Sequence, residues 1–157
     1  MAQEALRIAF EEHYVWLVRL AVLLTGRVDT AEDLVQDAFL RAAPKIESLD
    51  STRVRPYLRI VVMNEWKNRV RRLALERRIA RLLQPTNAQV DGVDPRGSVW
   101  LAILHLPPRQ RAAVVLRYYE DLPEREIASV LGCSVGTVKS QLNKAARKLR
   151  KELADES

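Results

Sequence analysis

An all-α fold of two small helical domains is what the sequence predicts, and three observations carry that expectation. Apolar residues recur at steps of three and four through most of the chain, the period of a helix that buries one face. Period-two alternation is scarce, and only five glycines occur in 157 residues. Between the periodic stretches, QPTNAQVDGVDPRGS (84–98) has two prolines, two glycines and no stripe, which is the composition of a flexible connection. The predicted division is therefore 1–80, a linker at 81–98, and 99–157. With 48% hydrophobic residues overall, the chain has enough apolar surface for real cores.

A first helix is predicted from about Glu4 to Thr25, with Leu6, Phe10, Tyr14, Leu17, Val18, Ala21 and Leu24 on one stripe and Gly26 as its stop. Trp16 lies off the centre of that stripe, where it either packs against a neighbouring helix or stands partly exposed at a contact surface, and core packing is the expectation. A second helix, Asp29 to Ala43, reads as starting on a capping box, Asp29 followed three residues later by Glu32. Its buried side is Ala31, Leu34, Val35, Ala38, Phe39 and Ala42. Its other side, with Glu32, Asp33, Gln36 and Asp37, is from physics alone a solvated acidic face near a positive helix end. Pro44 starts a break, and ESLDSTRVR (47–55) reads as a polar loop. Pro56 then opens a long helix to about Arg78, with Leu58, Val61, Val62, Trp66, Val70 and Leu73 as its core positions. The rest of that helix is basic: Arg59, Lys67, Arg69, Arg71 and Arg72, with Asn64 and Asn68 among them.

The second part begins with a short apolar helix, VWLAILHL, stopped by Pro107 and Pro108, and continues with a helix from Arg109 to Tyr119. LPEREIASVLGCSVGTVKSQLNKAARKL (122–149) then reads as a helix-turn-helix. Its first helix runs from about Pro123 to Leu131, Gly132 ends it, and Ser134 caps the second. On the second helix Val135, Val138, Leu142, Ala145, Leu149 and Leu153 form the stripe that must be buried. Opposite it lie Gly136, Thr137, Ser140, Asn143, Lys144, Arg147 and Lys151. From Lys139 to Lys151 there are six basic residues and no acidic one. Such a face offers cations to phosphates and polar side chains to base edges in a major groove. An amphipathic helical hairpin without DNA is the plainer reading. It ranks lower because small Ala128, the Gly132 turn and the charge segregation coincide.

Charge distribution extends the argument to the first part. The chain carries a net +6, but residues 1–52 hold five basic and nine acidic groups, whereas 53–78 hold nine basic and two acidic. Two surfaces of opposite sign within one domain imply two partners, one of them polyanionic. A hydroxyl-rich loop feeding a basic helix with interleaved aromatics fits contact with nucleic acid, single strands included. Enzymatic chemistry is not expected. His13 and His105 fall in different parts, Cys133 is the lone cysteine, and no phosphate-binding glycine loop follows a strand, so no metal or cofactor is expected either. The N-terminus lacks a signal-peptide pattern and the longest apolar run is too short for a bilayer, so a cytoplasmic protein is expected.

Three stretches in this order resemble a bacterial RNA polymerase sigma factor of the extracytoplasmic-function (ECF) type. AEDLVQDAFLRA (31–42) is similar to the helix with which that family docks on the beta-prime clamp helices of the polymerase. RPYLRIVVMNEWKNRVRR (55–72) is similar to its reader of the minus-ten promoter element. LPPRQRAAVVLRYYEDLPEREIASVLGCSVGTVKSQLNKA (106–145) is similar to its sigma-4 domain, which reads the minus-thirty-five element. The resemblance implies a sigma-2-like and a sigma-4-like domain. It implies a promoter-specificity subunit that binds core RNA polymerase, directs it to a two-element promoter and helps to melt the downstream element. It gives Asp33, Gln36 and Asp37 a core-polymerase contact. It assigns the upstream element to Thr137, Lys139, Ser140, Asn143, Lys144 and Arg147, and the downstream element to Ser51, Thr52, Arg59, Asn64, Lys67 and Arg71. The loop 48–55 becomes the place where a flipped base is captured.

Implied partners are core RNA polymerase, through its beta-prime clamp helices and beta flap, promoter DNA, and an anti-sigma factor, which no residue here identifies. Departures from the family pattern occur at Gln141 and Ala146, where arginine is common, at Asn68 in place of aspartate, and at Pro123 in place of a capping serine or threonine. They bear on which promoter is read. The alternative reading is a stand-alone helix-turn-helix regulator, which would bind duplex DNA tightly without polymerase. A helical adaptor that binds only proteins is a third, and the segregated basic faces argue against it.

Overall fold

A stop at Gly26 sets the first turn of the chain. In the computed structural model, which describes residues 1–83 and 98–155, helix α1 (Ala2–Thr25) ends on Gly26 at φ 78°, with its N–H donating to the Val22 carbonyl at 2.8 Å. Left-handed backbone is free of strain there because glycine has no Cβ. A Cβ at this position would also meet the Leu104 side chain at 3.2 Å, so a later part of the chain packs directly on the turn.

Helix α2 (Val28–Ile46) has its N-cap two residues earlier than the capping-box pattern predicts. Arg27 is the N-cap, which places Asp29 inside the first turn. There its carboxylate accepts from the Thr30 N–H at 2.8 Å and pairs with Arg27, and these donors hold its pKa below the usual carboxylate range. Pro44 does not break the helix. Only one intrahelical donor is lost, and carrying the turn forward brings Ile46 to 3% exposure in the core.

Helix α3 (Ser51–Leu83) likewise begins before its proline, five residues ahead of Pro56. Asp50 supplies the cap that the sequence reading left to proline: its carboxylate accepts from the Thr52 N–H at 3.1 Å and from the Thr52 hydroxyl, and its carbonyl accepts from the Arg53 N–H at 3.0 Å. The predicted loop 47–55 thus shrinks to 47–50. At the other end the helix runs to Leu83, so residues 81–83 are helical rather than linker, and Ser98 already belongs to the next helix. The remaining linker residues, 84–97, lie outside the described residues.

Leu17, Leu20, Leu24, Leu34, Val35, Leu58, Val62 and Met63, each at most 1% exposed, close the core of α1, α2 and α3. Met63 was not among the predicted core positions. Leu73 was, yet it is 46% exposed, because α3 from Arg71 onward lies exposed.

The second half contains α4 (Ser98–Leu104), α5 (Pro108–Val114), one π-helical turn (Val115–Tyr119), α6 (Glu124–Leu131) and α7 (Val135–Asp155). The helix predicted to reach Tyr119 therefore loosens in its last turn: the Glu120 N–H reaches the Val115 carbonyl at 3.1 Å, and Asp121 then takes a left-handed φ of 54°. Leu116, Ile127 and Val138 belong to the same continuous apolar cluster as the α1–α3 residues. Leu106, Val114 and Ala145 form a smaller cluster with Ile103, Leu142 and Leu149 packed on it.

Arg111 joins the halves. Its guanidinium donates to the Leu24 carbonyl at 2.6 Å, to Leu104 at 2.7 Å and to Leu106 at 3.0 Å, and so serves the C-terminal ends of α1 and α4 together. A cation suits both negative helix ends, although burial pushes its own pKa down. Arg111→Met should lower unfolding stability in urea by about 2–3 kcal/mol, since charge-assisted bonds vanish and carbonyls are left unmatched. A change within experimental error would mean that water replaces the guanidinium without cost.

Candidate nucleic-acid interface

The helix-turn-helix is assembled by two local devices. Gly132 ends α6 at φ 69°, and the Cys133 N–H reaches back to the Ala128 carbonyl at 3.0 Å. Ser134 then caps α7: its hydroxyl accepts from the Thr137 N–H at 3.0 Å and lies 2.9 Å from the Thr137 hydroxyl. Cys133 is half-buried in the turn. Pro123 is the N-cap of α6 rather than its first residue, and Glu124 and Glu126 occupy the first turn.

Val138 and Ala145 are fully buried, which fixes the rotation of α7. Lys139, Ser140, Asn143, Lys144 and Arg147 are consequently all exposed along one side. Lys139 approaches Glu124 at 4.0 Å, a solvent-exposed pair of little energetic weight. Thr137 is different from the other five. It is half-buried, its hydroxyl is engaged by Ser134, and it lines a cavity of about 440 Å³ between α7 and α3.

The six residues assigned to the downstream element fall into two groups. Ser51, Thr52, Asn64 and Arg71 are exposed, the first two in the opening turn of α3. Asn64, Lys67 and Arg71 share an open polar cavity of about 480 Å³ with Arg41, Tyr57 and Asn68. Arg59 and Lys67, by contrast, are already occupied. Arg59 is ion-paired to Glu120 at 2.8 Å, with the two side chains 12% and 4% exposed. The Lys67 ammonium donates to the Leu131 carbonyl at 2.7 Å, and burial, with Arg71 nearby, pushes its pKa down.

Asp33, Gln36 and Asp37 stand together and exposed on α2, three and four residues apart. Asp37 lies 3.9 Å from Arg69 of α3. The same face continues into Leu40, which is 72% exposed. Sequence reading missed Leu40, because a lone leucine one position after the buried Phe39 has no pattern of its own. It also missed Glu120, whose partners Trp16 and Arg59 are 104 and 61 residues away.

Two family models match the sequence half by half: Sigma-70 region 2 over residues 9–76, and Sigma-70 region 4 over residues 96–149. The ECF RNA polymerase sigma factor SigW of Bacillus subtilis (strain 168) is 31% identical over 156 residues, spanning 88% of this chain and 83% of that one. The chain belongs to the ECF RNA polymerase sigma factors. It directs RNA polymerase to promoters, and a match in both halves does not favour a stand-alone regulator. The sigma factor SigL of Mycobacterium tuberculosis (strain H37Rv) is 33% identical over 165 residues, 96% of this chain and 89% of its own length. Among solved structures, the sigma factor RpoE from Bartonella quintana, in complex with the anti-sigma factor NepR, has a TM-score of 0.71 at 24% identity. It covers 92% of this sigma factor and 95% of that chain. CnrH, in complex with the cytosolic domain of CnrY, has a TM-score of 0.67 at 25% identity over 99% and 91% of the two chains.

Ser134→Ala should cost about 1 kcal/mol, felt mainly in the first turn of α7. Amide exchange at Thr137 and Val138, whose N–H groups are held by the Ser134 hydroxyl and carbonyl, should quicken while α1 and α2 are unchanged. Unaltered protection there would mean that the serine cap contributes nothing.

Proposed function

We propose that this sigma factor holds core RNA polymerase through the exposed side of α2 and reads two promoter elements with separate helices, α7 upstream and α3 downstream. The observation that carries the reading is the division of α7 into a side pinned by buried Val138 and Ala145 and a side bearing Lys139, Ser140, Asn143, Lys144 and Arg147. Lysine and arginine supply affinity through phosphate contact, and Ser140 and Asn143 supply contact with base edges. In the first half, Ser51, Thr52, Asn64 and Arg71 offer hydroxyls, an amide and a cation to the downstream strand. The polar cavity beside Tyr57 suits an unstacked base.

Asp33, Gln36, Asp37 and Leu40 form the polymerase face, acidic with an apolar end at Leu40, which meets the beta-prime clamp helices, while the second half meets the beta flap. The working unit divides between α3, which ends at Leu83, and α4, which begins at Ser98, and polymerase holds the two readers at promoter spacing, so two weak contacts act at high effective concentration. The chain makes no bond and needs no cofactor. It works in the cytoplasm, where a factor that directs RNA polymerase to promoters meets both of its partners. An anti-sigma factor is a fitting partner, since the similar sigma factor RpoE from Bartonella quintana is bound to one.

Lys144→Ala and Arg147→Ala should each weaken binding of the polymerase complex to promoter DNA and lower the slope of log affinity against log salt by about 1. An unchanged slope would remove these residues from phosphate contact. Asp37→Lys should reduce capture of core polymerase in a pull-down while leaving the thermal transition in place, since Asp37 has only the long contact to Arg69 to lose. Normal capture would count against the α2 face.

A further inference from the structure

The final turns of α3 have no core to pack on. Residues 71–82 are helical and exposed without a break, so neither half of the chain covers this segment. It carries five arginines against one glutamate, and Arg72, Arg78 and Arg81 form no ion pair among the described residues. A stretch so short and so charged is marginal as an isolated helix in water. Here it continues a helix anchored by buried Leu58, Val62, Met63 and Trp66, which sets the height of each arginine along one axis. Residues seven apart on an α-helix lie about two turns along and only about 20° around. Asn64, Arg71 and Arg78 therefore form one row, with Lys67, Ala74 and Arg81 in the row beside it. Asn64, Lys67 and Arg71 line the open polar cavity beside Tyr57. Arginine thus carries the polar side of that cavity past its end, whereas Arg72 stands about 100° around the helix from Arg71.

We propose that Arg78 and Arg81 contact phosphates of the double-stranded spacer just upstream of the downstream element, so that α3 grips duplex as well as melted strand. This rests on the reading of Asn64 and Arg71 as downstream contacts. From the C-terminal end of α3 the chain passes to the half that carries α7, the reader of the upstream element, so that end of α3 is turned toward the spacer. The spacer stays double-stranded while the downstream element melts. Arg78 and Arg81 lie 14 and 17 residues beyond Asn64, about 21 and 25 Å along the helix axis. With one phosphate per about 3.4 Å of each strand, that reach spans at most about seven base pairs. Contact with phosphate carries no base information, so the two arginines add affinity and fix the angle of α3 whatever the spacer sequence. The exposed Leu75 and Leu82 share a neighbouring row with Asn68 and offer the alternative of a protein partner. Continuity of the arginine row with Asn64 and Arg71 favours DNA, which already lies on that side.

The test titrates core polymerase carrying this sigma factor onto two fluorescein-labelled fork probes. Both contain the downstream element and lack the upstream one, so α7 reads neither. One probe has about a dozen base pairs of duplex on its upstream side and the other about two, which brackets the reach of Arg78 and Arg81. Arg78→Ala should weaken binding to the long probe about three- to tenfold at low salt and lower the slope of log affinity against log salt by about 1. Adding Arg81→Ala should lower the slope by about 2 in all. On the short probe both variants should differ from the unaltered protein by less than about twofold, and Arg72→Ala should do so on either probe. All three arginines are exposed and alanine is the best helix former, so the variants keep the fold.

Equal losses in Arg78→Ala and Arg72→Ala would reduce the effect to net charge and overturn the proposal. Equal losses on the long and short probes would overturn it as well, because the contact would not be with spacer duplex. Leu75→Ser combined with Leu82→Ser addresses the other class of partner. Weaker capture of core polymerase by that variant, with Arg78→Ala silent on both probes, would give the segment to a protein surface instead. Arg71→Ala should weaken both probes alike. If it affected neither while Arg78→Ala still distinguished them, the downstream reading of α3 would fall and the spacer contact would stand.

Discussion

Burial of Val138 and Ala145 fixes how α7 is rotated about its own axis, and the exposed cationic side follows from that rotation. Successive helical residues are separated by about 100°, so a helix that commits two positions to the core has committed all the others. Turning α7 by one residue would bring Lys139 toward the place of Val138. An unpaired ammonium in that apolar setting is far costlier than the exposure of one valine. The cationic face is thus held by the packing behind it. Gly132 and Ser134 fix where the helix begins, so the same packing also fixes which residues stand near its N-terminal end.

The same economy of faces operates in α3. Leu58, Val62, Met63 and Trp66 are buried, whereas Asn64, Asn68 and Arg71 remain outside. What distinguishes α3 is that its remaining side meets two different surroundings. One part opens to solvent near Tyr57 and Asn64, and another lies against α6 and the π turn. Arg59 and Lys67 therefore satisfy their charge and donors within the chain, while Arg71, only four residues beyond Lys67, does not do so by any buried contact. Arg111 and the close approach of Leu104 to Gly26 give the two halves a further shared boundary at the C-terminal end of α1.

Much of this was legible in the sequence, because helices, their stripes and their local caps depend on residues a few positions apart. The Val138 and Ala145 positions of the α7 stripe, the Gly132 stop, the Ser134 cap and the clustering of Asp33, Gln36 and Asp37 are of this kind, whereas Val135, expected on the same buried stripe, is 37% exposed in the first turn of α7. Prolines misled the reading in both directions of the same rule. Pro44 and Pro56 each remove a single donor near a helix end, and burial of Ile46 together with the Asp50 cap outweighs that loss. The π turn, Glu120 and the double duty of Arg111 were not legible, since each is defined by partners tens of residues away. For the same reason the sequence placed Arg59 among the surface cations. Its composition and spacing match those of Arg71, and only the fold separates them.

The measurement that tests the account most directly is in vitro transcription with bacterial core RNA polymerase on a pooled promoter library, with and without this sigma factor. New start sites that depend on the protein are the predicted result, with two shared sequence elements upstream of them at a constant separation. Start sites that are identical with and without it, alongside tight sequence-specific binding of duplex DNA by the chain alone, would contradict the assignment of promoter reading to two helices acting through polymerase.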